Sequence, residues 1–479
     1  MRGIEPARLQ GARRLSRGLW CVLIFACASA GTCWATERSS EGSAQPLVYP
    51  PLSDIPLSKG AFLGYESAIR IGIDRHPLLR RSRETALAAE AVTDQATARY
   101  YPELNAYAIQ TGGTIRPLSA FNIAGAQNKP TSYVTSAGFR ADQLIYDFGQ
   151  TAHRVLAERA GQGAAEKDIQ THKATVILKV QQAYIHCLRQ QRLVEIAQET
   201  VRERGVVRGQ IAILYKRELK SKLDLDFMSV ELRNAEIQLV QAKNELRAAF
   251  AGLNNAMGVR GVEDYTLEDL PAASALSSTL EILIAQALED RPELLATADR
   301  IAQADERLSS SQALNLPTIA AQGMSGVIHF SDAPLNQYAG SHPGQTNLWW
   351  GAGATISVPI FTGFLIDSRV AEARQQKYKA EQRKLDLTNR IAFEVTDAYL
   401  TLQTAIQQIP VEEKEVESAR SALTLAKERY RLGLASIVDV TTATTALLVS
   451  EVRLSEARYA VQVGIAAVAF ATGTAYQQF

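Results

Sequence analysis

Along the second half of the chain, Trp350, Ala352, Ala354, Ile356, Val358 and Ile360 alternate with Trp349, Gly351, Gly353, Thr355 and Ser357. Strict period two, apolar on one side and small or polar on the other, predicts a strand with one face out of water. In the first half Tyr133, Ala137, Phe139, Ala141 and Ile145 alternate in the same way with Ser136, Gly138, Arg140 and Asp142. Four strands are expected, near 100–115, 131–147, 316–332 and 347–361, joined pairwise by Gly-, Pro-, Asn- and Ser-rich connectors at 116–130 and 333–346. Elsewhere the period is helical. Val180, Ala183, Tyr184 and Cys187, or Ile391, Val395, Ala398, Tyr399 and Leu402, recur at threes and fours. Residues 149–257 and 364–472 each predict a long amphipathic helical pair, broken once near 215–224 or 430–439 and ended by Gly258 or Gly473. Residues 61–98 predict a further helix, stopped before Pro102. A run such as 149–214 is roughly 100 Å of helix at 1.5 Å per residue, several times the width of an ordinary domain.

The pattern occurs twice, at a constant offset of 215 residues. His76-Pro77 falls on Arg291-Pro292, Tyr101-Pro102 on Leu316-Pro317, and Val180, Ala183 and Tyr184 on Val395, Ala398 and Tyr399. Tyr215, Leu219, Ser221 and Asp224 fall on Tyr430, Leu434, Ser436 and Asp439, and Gly258 falls on Gly473. Such a series without net insertion reads as an internal duplication. It divides the chain into a first repeat at 61–258 and a second at 280–473, with a polar linker at 259–279 and a short tail at 474–479.

Composition adds a destination. Residues 1–35 carry five arginines, one acid and an apolar run from Leu19 to Ala30, the make-up of a secretory signal peptide. Residues 36–60, rich in Pro and Ser, are expected to be extended. Without residues 1–35 the chain keeps 46 basic and 49 acidic side chains, a balance that argues against a nucleic-acid partner. Only Cys187 remains of the four cysteines, so no internal disulfide is expected. Beyond residue 35 no run approaches the ~18 apolar residues of a membrane-spanning helix. A membrane would have to be met by the strands. In lipid every unpaired backbone group costs several kcal/mol, so a sheet there must close on itself. Known barrels need about eight strands or more. Four per chain therefore demand self-association; twelve strands from three chains would leave room for a channel. Trp349, Trp350, Tyr133, Tyr146 and Phe361, near strand ends, would sit at the membrane interface. The alternative is a soluble α+β domain whose sheet is covered by its own helices.

The order helix, strand, strand, long helix, long helix, given twice, resembles the TolC-like outer membrane efflux proteins. The likeness is carried by QLIYDFGQTAHR and VPIFTGFLIDSR at the strand-to-helix junctions and by RYRLGLASIVDV at 429–440. It implies an α+β membrane protein: a homotrimer with a 12-stranded β-barrel in the outer membrane, continued by a long α-helical periplasmic barrel. It also implies a passive exit duct, fed by an inner-membrane pump or ABC exporter through a periplasmic adaptor, for multidrug-type efflux or type I protein secretion. Carried over residue by residue, Gly433, Leu434, Ala435 and Ser436 match the tip motif that adaptors dock against; Leu219 and Ser221 are their counterparts in the first repeat, where the glycine is missing. Asp439 matches an acidic position ringing the pore mouth, and a second acidic position one turn later is Thr442 here. Tyr430 and Asp224 match positions that hold neighbouring tip helices together, and the arginine of that latch is replaced by Ala435. Solvated tip residues or helix caps are the alternative reading of Asp224 and Asp439, against which stands their coincidence across the repeat. A soluble periplasmic coiled-coil adaptor or scaffold is the competing function. No cofactor and no metal site are expected, since the six histidines are scattered without ligand spacing and no Gly-rich phosphate loop or catalytic motif occurs.

Overall fold

The computed structural model describes residues 60–113, 132–261, 265–271, 278–330 and 346–476. The expected leader at 1–35, the segment 36–59, the connector 116–130, nearly all of 333–346 and the last three residues lie outside the described residues. In chain order the elements are β1 (Phe62–Leu63), α1 (Tyr65–Arg75), α2 (Pro77–Thr97), a 3-10 turn (Ala98–Tyr100), β2 (Glu103–Gly113), β3 (Ser132–Tyr146), α3 (Gln150–Lys216) and α4 (Lys222–Met257). There follow β4 (Thr266–Leu267), α5 (Leu280–Asp290), α6 (Pro292–Ala313), β5 (Thr318–Phe330), β6 (Thr346–Ser357), α7 (Leu365–Arg431) and α8 (Ile437–Ala471). Corresponding elements open 215 positions apart, at Tyr65 and Leu280, Pro77 and Pro292, Glu103 and Thr318, Gln150 and Leu365, Lys222 and Ile437.

The single helix expected at 61–98 is two helices. Pro77 offers no N–H and forces the preceding residue out of the helical region, so His76 is extended (φ −64°, ψ 126°) and starts a new helix. Its ring Nδ1 accepts the Leu78 N–H at 3.1 Å, an imidazole serving as N-cap. Arg291 before Pro292 repeats the break. The strands start after Pro102 and Pro317, and β6 stops at Ser357, two residues short of Pro359, so Val358 and Ile360 fall outside it. The linker is not wholly irregular, because β4 pairs in parallel with β1. Tyr184, fully buried on α3, locks that pair down: its hydroxyl sits 2.9 Å from the carbonyls of Leu63 and Glu268 and from the Glu268 N–H.

The helices pack as a row. Near the strands the order is α2, α3, α6, α7, and towards the turns it is α4, α3, α8, α7. One core gathers α1, α3 and α4 around Ile177 and Leu253. A second gathers α5, α7 and α8 around Ile391 and Val395. A third joins the two hairpins near their turns through Ile211, Met228, Leu423 and Ile437. The four long strands form one antiparallel sheet in the order β2, β3, β5, β6. Among the described elements its strands pack chiefly on one another and on the 3-10 turn. The self-covered soluble sheet is therefore not what forms: Trp350 is 79% exposed, Leu348 78% and Leu104 71%.

Candidate functional site

Two regions carry the residues singled out by the sequence: the helix turns at one end and the strands at the other. Both turns are built alike. After α3 and after α7 the chain enters the left-handed region, at Glu218 (φ 63°) and at Gly433 (φ 76°). Two backbone bonds close each helix in a Schellman arrangement: Glu218 N–H to Tyr215 O and Leu219 N–H to Leu214 O, then Gly433 N–H to Tyr430 O and Leu434 N–H to Arg429 O. The residue after each left-handed position is thereby thrown outward, and Leu219 and Leu434 stand exposed. Ser221 and Ser436 then cap the next helices. Asp224 N–H donates to Ser221 Oγ at 3.1 Å and Ser221 N–H to Asp224 Oδ2 at 3.3 Å. The pair Ser436 and Asp439 repeats this at 3.3 and 2.7 Å. Each Ser–Asp pair is a reciprocal capping box, so the helix-cap role of both aspartates is structurally real whatever else they do. The N–H of Ser436, and then its hydroxyl, hold the Asp439 carboxyl below the usual carboxylate range.

The aspartates differ in surroundings. Asp439 and Thr442 are exposed, one turn apart on α8, whereas Asp224 is half-buried near Tyr430. Burial, and then the Asp224 charge, push the Tyr430 phenol up. Its hydroxyl is shielded and makes no hydrogen bond among the described residues, and Lys220 Nζ lies 3.9 Å from its ring centroid. Lys220 thus brings a cation from the first turn onto the tyrosine of the second, while Ala435 is half-buried and uncharged. The extra charge at 218–221 was visible in the sequence, but no spacing rule pairs it with a residue 210 positions away.

At the other end, strand register sorts the aromatic residues. One face carries Leu104, Ala106, Ala108, Ala137, Phe139, Ala141, Val327, Leu348, Trp350, Ala352, Ala354 and Ile356. The other carries Glu103, Asn105, Arg140, Asp142, Gln322, Asn347, Thr355 and Ser357. A register shift between Leu144 and Tyr146 bulges Ile145 out of the alternation, so Tyr146 takes the apolar face opposite Ile319. Trp350 lies on the apolar face beside Ser325, but Trp349 lies on the polar one beside Gly326. At the junction with the helices Tyr146 meets Phe148 edge-on at 4.7 Å, and Phe361 meets Phe364 at 5.7 Å. Tyr133 pairs with Gly112 through its backbone; its side chain lies outside the described residues. Among the described residues no group of three or more His, Cys, Asp or Glu could hold a metal, and no helix is long and apolar enough to cross a membrane.

Residues 69–259 and 283–474 match the profile of the outer membrane efflux protein family. Outer membrane protein TolC of Salmonella enteritidis is 24% identical over 419 residues, covering 84% of this chain and 80% of that one. Cation efflux system protein CusC of Escherichia coli O157:H7 is 22% identical over 354 residues, 72% of this chain and 73% of its own. The solved outer-membrane channel OprN superposes with a TM-score of 0.73 at 19% identity, over 86% of this chain and 90% of that one, a likeness of fold. With the profile matched across both halves of the chain, the protein belongs to the outer membrane efflux protein family.

Proposed function

We propose that three copies of this chain close a 12-stranded barrel in the outer membrane and a helical tunnel below it, forming a passive exit duct. The observation that carries this reading is that sheet and helix row both end in free edges. Among the described residues, β2 and β6 each have one unpaired side, which lipid does not tolerate, and nothing covers the apolar face. The helix row ends in α7 on one side and, on the other, in α2 near the strands and α4 towards the turns; α4 and α7 expose apolar stripes at helical spacing: Leu223, Val230 and Ile237 on α4; Leu385, Phe393, Leu400 and Leu425 on α7. A cyclic arrangement satisfies both layers with one operation, joining β6 to the next copy's β2 and α7 to its α4. Energy for transport is then external, supplied by an inner-membrane pump or ABC exporter whose periplasmic adaptor meets the turns. Small-molecule efflux and type I secretion use such a duct alike.

At the turns, the surface formed by Gly433, Leu434, Ala435 and Ser436, with Leu219 and Ser221 beside it, is the adaptor contact. Its support is the exposure of Leu219, Leu432 and Leu434 at a tip where isolated function would favour polar residues. Asp439 and Thr442 face the mouth, and Lys220, Tyr430 and Asp224 hold the two turns of one chain together there. Two measurements test the reading. Outer-membrane extracts in mild detergent should contain a trimer that heat converts to monomer; single molecules in the periplasmic wash would refute it. A β-carbon at Gly433 meets nothing within 4 Å, so Gly433→Trp strains only that turn, at φ 76°, and should leave the trimer intact and abolish export. Normal export in that variant would move the adaptor contact elsewhere.

A further inference from the structure

Resting on the barrel proposed above, we infer that its inner wall carries a binding site for planar aromatic cations, built from Tyr107 and Trp349. Register places four residues side by side across the polar face of the sheet: Tyr107 on β2, Gly138 on β3, Gly326 on β5 and Trp349 on β6. The aromatic side chains described on that face both belong to this one row. Between them there is only backbone, and it must stay so. A β-carbon on Gly138 would lie 2.2 Å from Ser325 O, and one on Gly326 would lie 2.5 Å from Ala137 O. Two glycines thus keep a bare strip of wall flanked by a phenol ring on one side and an indole on the other, about 14 Å apart across three strand spacings.

The chemistry of that strip points to a class of ligand. Trp349 is half-buried, with its indole N–H shielded and without an acceptor among the described residues, so what it offers to the lumen is π surface, not a hydrogen bond. Among the described strand residues, the charged groups on the same face are Glu103, Asp142 and Arg140, an excess of one negative charge. Arg140 is held at 2.7 Å by Asp142, two residues along the strand from Gly138. Ring faces attract cations, and flat aromatic cations above aliphatic ones, because they can also stack. Neutral polar solutes find no donor or acceptor on these two rings beyond the Tyr107 hydroxyl. A duct needs such contacts to be weak and repeated, so that a solute is retained in file without being trapped.

The two adjacent tryptophans make the site testable, since Trp20 and Trp34 lie in the expected leader. Purified trimer carrying Trp350→Phe reports on Trp349 alone. In vesicles its emission should be quenched by N-methylacridinium and not by dibrominated phosphatidylcholine, while the Trp349→Phe protein, reporting on Trp350, should show the reverse for the brominated lipid. In planar bilayers, N-methylacridinium added on the barrel side should block conductance, and Trp349→Ala should raise the half-blocking concentration about three- to tenfold. Block by tetraethylammonium, of equal charge, should be unchanged, and Trp349→Phe should restore most of the acridinium block. Equal loss of block for both cations, unchanged acridinium block in Trp349→Ala, or quenching of Trp349 by the brominated lipid would overturn the site while leaving a conducting trimer, and with it the duct, intact. An unmutated protein that neither trimerises nor conducts would overturn both.

Discussion

Glu218 and Gly433 hold the same left-handed backbone conformation in equivalent turns, yet only one is glycine. An L side chain in that region costs roughly 1 kcal/mol, because Cβ crowds the carbonyl oxygen. Glu218→Gly should therefore stabilise the first turn by about 1 kcal/mol, and Gly433→Ala should weaken the second by a similar amount. Hydrogen exchange of the amides at Leu219 and Leu434, which close the two Schellman bonds, reads both. The second capping box adds a pH signature. Asp439 titrates below its unfolded value, so its stabilisation is complete above about pH 4 and is lost as pH falls through the lower folded value. Exchange protection at the start of α8 should stay level from pH 7 to 5 and fall below 4, and Asp439→Asn should flatten that profile. A capping role for Asp224 and Asp439 was legible in the sequence, but the N-caps are Ser221 and Ser436, with each Asp at the third helical position. The Lys220–Tyr430 contact was not legible, because it joins two turns whose juxtaposition exists only after α3 and α8 have packed.

Helix breaks show where local pattern stops being sufficient. Periodicity over 61–98 is continuous in its apolar positions, and only Pro77 announces that two helices meet at an angle. That joint is a packing site. Gly258, ending α4 at φ 72°, lies so close that a β-carbon there would be 2.8 Å from His76 Cα. Gly258→Ala combines left-handed strain with a backbone clash and should cost about 2–4 kcal/mol, measured as a lower midpoint of thermal dissociation. In the second repeat the same joint is electrostatic. Arg291, 3% exposed, reaches Glu394 at 2.5 Å and Glu293 at 3.1 Å and lies over the Phe470 ring. Glu394→Gln leaves a buried guanidinium with half its compensation, and about 3 kcal/mol should be lost. If the loss equals that of an exposed pair such as Arg453–Glu415, expected below about 1 kcal/mol, then water reaches the site. The duplication, the strand alternation and the long helices were all visible along the chain, since each is a local repetition. The order β2, β3, β5, β6 and the bulge at Ile145 were not, because they depend on which hairpin edges meet.

At the scale of the whole molecule, what matters is which surfaces the chain leaves unfinished. Cores fill the spaces between α3 and α4, between α7 and α8, and between the two hairpins, so the fold of one copy does not need the outer faces of α4 and α7. Ile237 on α4 is 57% exposed, in line with Leu223 and Val230 at intervals of seven. In a lone chain, Ile237→Asp there exchanges one solvated side chain for another and should change folding by no more than about 0.5 kcal/mol. In a closed ring it places an unpaired carboxylate in each of three apolar seams, at several kcal/mol apiece. The variant should keep its helical circular dichroism and its outer-membrane targeting, yet migrate as monomer in detergent without heating. Val92→Asp on α2, also exposed and at the other row edge near the strands, should do the same if the ring closes along its whole length. A trimer that survives both substitutions would mean that these stripes face water, and that the sheet alone holds the copies together.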